Sequence, residues 1–133
     1  MESIFRILVV ASALLSIVFW SVPYVDYLWL TVDQMHVLDL GGFGAIIPTY
    51  DITYWGSLIV WLLISVGLFF YVSIARTAFT VFMVINIVLG FFYGIAIMSP
   101  LEVFIGSIIS MSDGAIITMM YLTSIGGKFS ENI

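Results

Sequence analysis

The chain has 133 residues, one domain's worth, of which 63% are apolar and 8% charged, against about 25% charged residues in a soluble domain. So few charges cannot keep a small globule in solution, because a small globule is mostly surface, and lipid is the expected solvent. The absence of cysteine excludes disulfides, thiolate metal sites and cysteine nucleophiles. Eight acids against three bases give a net charge of −5, with no basic patch for nucleic acid.

The first element is an apolar stretch at 7–25, preceded by Glu2 and Arg6. It ends in Trp20, Pro23, Tyr24 and Tyr27, an aromatic interface group, rather than in the small residues of a cleavage site. These flanks favour an uncleaved membrane helix, about 5–25, over a signal peptide.

The segment 26–51 follows, reading DYLWLTVDQMHVLDLGGFGAIIPTYD. It is too apolar for a mobile loop and is expected to hug the membrane surface. A short interfacial helix and a small hairpin both fit its first part, a helix from about Tyr24 to Leu40 being preferred, and Gly41, Gly42 and Gly44 mark a sharp bend. Asp33 and His36 share a face on such a helix, with Asp26 two turns earlier. A histidine with two carboxylates is a candidate cation site or pH sensor. The plainer account, a water-facing side of an amphipathic segment, carries more weight, because a metal needs more convergent ligands.

Three further apolar stretches, 52–75, 77–101 and 103–127, all exceed the roughly 20 residues that cross a bilayer. None alternates with period two, so helices fit better than barrel strands. Helices are expected at about 52–75, 77–98 and 101–125. A tight turn is expected around Arg76, a proline-started helix after Ser99-Pro100, and a helix end at Gly126-Gly127. The fold class is therefore an all-α membrane protein. A four-transmembrane-helix bundle forms one domain over 1–133, with the surface segment between helices one and two. With four crossings, Arg6, Arg76 and Lys128 fall on one side. Asp26, Asp33, Asp39, Asp51 and Glu102 fall on the other. Positive residues favour the cytoplasmic face, which gives an N-in, C-in chain, expected in a bacterial inner membrane.

Asp113 is the residue of most interest, since it lies near the middle of the fourth stretch. A carboxylate at that depth costs about 2.5–3.5 kcal/mol, so it must face the bundle, face a cavity, or carry a proton. Asn86 and Asp113 lie 14 and 13 residues either side of Pro100. In an antiparallel helical pair this puts both roughly 20 Å from the turn, and Asn86 is the expected donor to Asp113. Glu102 is close to three turns before Asp113, with Gly106 on the same stripe and Ser110 beside it. This line reads as a possible ion path, or as a helix cap at Glu102 with Asp113 joining helices. Small residues at Gly90 and Gly94, and at Gly106, Ser110 and Gly114, predict close helix packing. Ser112-Asp113-Gly114 also admits a break in the fourth helix. Ser12, Ser16 and Ser65 are expected to bond back to helix carbonyls.

The function expected first is a small non-enzymatic membrane subunit: a sensor, an anchor or a pore-forming component of a larger system. It would sit in the lipid bilayer, either as a homo-oligomer or with a partner membrane or cytosolic protein, and need no cofactor. The alternative is an ion or proton channel or transporter subunit using Asp113 and Glu102. An intramembrane enzyme ranks last, because catalysis needs a convergent set of groups and the one histidine, His36, lies in the outer segment.

Overall fold

The computed structural model describes residues 1–47 and 51–131, with positions 51, 52 and 131 described by their backbone alone. The end of the outer segment and the Asp51 side chain, which the charge pattern places on the acidic side, lie outside the described residues. The chain is helical and, among the described residues, has no strand. Helix α1 spans Glu2–Ser21 and runs on through two 3-10 turns, Val22–Tyr24 and Asp26–Leu28. Helix α2 is short, Val32–Leu38, and starts with a capping box in which Thr31 and Gln34 bond each other's backbone. Helices α3 (Asp51–Phe69), α4 (Ser73–Gly90), α5 (Pro100–Leu122) and α6 (Ile125–Glu131) follow. Among the described residues, three helices are long and apolar enough to cross a membrane: Glu2–Tyr24, Ser73–Gly90 and Pro100–Leu122. The apolar stretch Thr53–Phe69 is shorter.

Several boundaries differ from the sequence expectation. The second turn closes at Tyr71 rather than at Arg76. The Val72 amide bonds the Gly67 carbonyl and the Tyr71 amide bonds that of Leu68, a Schellman motif with Tyr71 at φ 56°. A tyrosine in this left-handed position costs about 1–2 kcal/mol. Its ring is buried, stacked on Phe5 at 5.6 Å and edge-on to Phe129 at 5.5 Å, which offsets that cost. Gly126 and Gly127 do not end the last long helix. It stops at Leu122, and both glycines lie inside α6.

Helix α4 also stops early, at Gly90. The amides of Ile46 and Ile47 bond the Phe92 carbonyl, Gly42 bonds that of Ile95, and Ile95 bonds that of Phe43. These bonds draw residues 91–98 out of helix and onto the loop at 42–47. Gly94 makes this possible: it has φ +79°, and a Cβ there would sit 2.6 Å from the Phe43 carbonyl oxygen.

Helix α1 packs against α5 and α3, and α3 packs against α4. The buried stripe of α1 is Phe5, Val9, Ser12 and Ser16, at helical spacing. One end of the bundle gathers the bases. The Arg6 guanidinium lies 5.2 Å from the ring centres of Phe69 and Tyr71. Arg76 lies over Tyr121 and donates to the Gly126 carbonyl, and Lys128 pairs with Glu2 at 3.3 Å. The opposite end is held by Trp20 and Tyr54, each donating to the other's carbonyl at 3.0 Å. Asp26 and Glu102 lie at that end.

A carboxylate-lined cleft as candidate functional site

Asp113 is buried at 2% exposure and accepts a 2.7 Å hydrogen bond from the Ser12 hydroxyl of α1. Ser16, one turn on, donates to the Ser12 carbonyl. The expected partner, Asn86, is not there. It is exposed, and its amide donates to its own helix at Phe82. The equal-depth argument needs α4 to continue to the proline turn. Because α4 ends at Gly90, Asn86 sits one turn from its end, whereas Asp113 lies about 20 Å along α5. The break considered at Ser112-Asp113-Gly114 is absent, since α5 is continuous.

Glu102 takes the capping role. Its carboxylate accepts from the Ser99 amide at 2.7 Å, and Ser99 Oγ accepts from the Glu102 amide at 3.3 Å. It also lines two cavities. One, of about 270 Å³, brings Glu102 together with Asp26, Asp39 and Met35 at the acidic end. The other is a cleft of about 630 Å³ between α4 and α5, lined by Phe19, Met83, Glu102, Gly106, Ser110 and Asp113. Helices α4 and α5 meet near the basic end, where the hydroxyls of Thr80 and Tyr121 are 3.0 Å apart. The cleft has Met83 of α4 on one side and Glu102, Gly106, Ser110 and Asp113 of α5 on the other. The expected stripe of Glu102, Gly106, Ser110 and Asp113 thus lies along one wall.

The remaining candidates divide. Gly106 is a true close-packing position, where a Cβ would lie 3.3 Å from the Phe19 ring. Gly90 and Gly114 face open space, and Gly94 serves the loop rather than a helix interface. Asp33 and His36 are exposed on α2, while Asp26 is buried and accepts from the Trp29 indole at 3.0 Å. These three therefore do not converge, and among the described residues no group of three metal-ligating side chains forms. Ser16 and Ser65 bond back to carbonyls as expected, but Ser12 does not. Its place on the buried α1 stripe, amid larger apolar residues, is the signal that marks it as a partner for Asp113. Two buried polar atoms, Trp61 Nε1 and Tyr71 Oη, have no partner among the described residues.

Comparison of the chain with protein-family models, with characterised proteins and with solved structures gave no significant match in any of the three.

Proposed function

We propose that this is a non-enzymatic integral membrane protein with four crossings and both ends in the cytoplasm, acting as an oligomeric subunit in a bacterial inner membrane. The fourth crossing is α3. Its first turn is tied to the end of α1 through Tyr54 and Trp20, and its last residue, Phe69, lies under Arg6 at the start of α1. Because α3 runs the length of α1, it crosses wherever α1 does. The bases at one end favour the cytoplasmic side there.

The observation that carries the assembly reading is the α4–α5 cleft. An acid within a membrane faces a bundle interior or a cavity, and here the chain's own helices leave one side of that cavity open. A second copy or another membrane protein closes it. In nanodiscs, wild-type protein is expected to run as an oligomer by light scattering. Ser110→Phe, which places a ring at an exposed cleft position, is expected to yield monomers with unchanged melting. A monomeric wild type defeats this reading.

A second reading has its own support. Because Glu102 lines both cavities, acids run in sequence from Asp39 and Asp26 at the outer end through Glu102 to Asp113. This is the order of groups that a cation or proton would need in order to reach mid-membrane.

A further inference from the structure

A groove runs between α1 and α3 on a face distinct from the cleft. Its first part, about 490 Å³, begins at Ser3 and Arg6 and continues along Val10, Leu14 and Phe69. A second part, about 390 Å³, shares Val10, Leu14 and Phe69 and extends to Leu62 and Val66. From Arg6 to Leu14 the groove follows α1 for about 12 Å. Its floor is apolar, and among the described residues that line it the one charge is Arg6, at the basic end of the bundle.

Arg6 is exposed, and the rings of Phe69 and Tyr71 hold its guanidinium in place. Among the described residues no carboxylate pairs with it, while the nearby Glu2 pairs with Lys128. A fixed guanidinium that no acid among the described residues pairs with is suited to bidentate phosphate binding. A hydroxyl lies one turn before it at Ser3, and an apolar trough leads away from it towards mid-membrane.

We propose that this groove binds one anionic phospholipid of the cytoplasmic leaflet, with its phosphate at Arg6 and Ser3 and an acyl chain along Val10, Leu14 and Val66. The charge complementarity is that of a basic pocket between membrane helices on the side where anionic lipids concentrate. The proposal rests on the four-crossing reading, because that reading sets Arg6 at headgroup level.

The test uses the full chain in two stages. Flotation with phospholipid vesicles comes first: failure to float overturns the membrane reading and the lipid site together. Floated protein is then extracted from vesicles of equal phosphatidylglycerol and phosphatidylcholine and examined by native mass spectrometry. Wild-type protein is expected to retain one phosphatidylglycerol, favoured about fivefold or more over phosphatidylcholine. Arg6→Gln is expected to lose the preference, and Leu14→Trp, which fills the trough, to lose the lipid. Arg76→Gln, whose cation sits over Tyr121 and Phe129, is expected to keep both. Melting curves confirm that each variant folds. Equal retention of the two lipids by wild type overturns the site. So does undiminished preference in Arg6→Gln, or an equal loss in Arg76→Gln, which would mark a general surface charge effect. A dimer that Leu14→Trp converts to monomer, with no lipid retained, assigns the groove to a second copy instead.

Discussion

On the acid-path reading, Asp113→Asn protein reconstituted in liposomes is expected to carry roughly a hundredfold less cation or proton flux than the wild type. A site near mid-membrane must offset about 2.5–3.5 kcal/mol for a bare charge, and about 1.4 kcal/mol corresponds to a factor of ten. An amide neither ionises nor relays a proton, so the path from Glu102 would end there. The fold is expected to survive, because asparagine keeps an oxygen that can accept from Ser12 at the position where Asp113 now does at 2.7 Å. Loss of flux with an unchanged melting temperature supports the acid path. Equal flux in both proteins removes Asp113 from any path and leaves it as a tie between α1 and α5.

The other large effect is expected at a glycine that the small-residue pattern does not single out. A Cβ at Gly67 would lie 2.7 Å from the Ala75 Cβ across the α3–α4 turn. Neither methyl has a rotamer to escape into, so the two helices must separate where the Schellman motif closes. Gly67→Ala is expected to destabilise the protein by about 1–3 kcal/mol, as overpacking of a tight contact does. Gly56→Ala, on the same helix with nothing within 4 Å, is expected to leave stability unchanged or slightly raised, since alanine is the better helix former. Unfolding in micelles with increasing denaturing detergent measures both. Equal stability of the two variants contradicts the close approach.

The sequence made some features legible and hid others, for physical reasons that differ residue by residue. The helical class and the apolar spans follow from local composition, which is why α1 and α5 fall near their expected bounds. The gathering of Arg6, Arg76 and Lys128 at one end of the bundle agrees with their expected segregation, because helix direction follows from counting turns. The stripe from Glu102 to Asp113 lines one cleft, because spacing along a single helix is rigid. What required a partner element was not legible. Pairing Asn86 with Asp113 assumes that neighbouring helices run side by side along their length. The loop at 42–47 instead captures residues 92–95 by backbone hydrogen bonds, which no side-chain pattern announces. Gly90 and Gly94 form a GxxxG motif in the sequence, yet only the first is helical. Tyr71 is a further case: a left-handed tyrosine is locally unfavourable, and only its burial against Phe5 and Phe129, distant in sequence, makes the turn close there.

The central claim is that the chain crosses the membrane four times with its basic end inside, α3 included. The chain has no native cysteine, so single cysteines can report sidedness without background. Ser3→Cys, Gln34→Cys, Phe70→Cys and Ser130→Cys all place a thiol at exposed positions. In intact bacterial spheroplasts, a membrane-impermeant maleimide is expected to label Gln34→Cys alone, and to reach the other three only after lysis. Labelling of Phe70→Cys from outside, with Ser3→Cys protected, would mean that α3 does not cross, and would contradict the account.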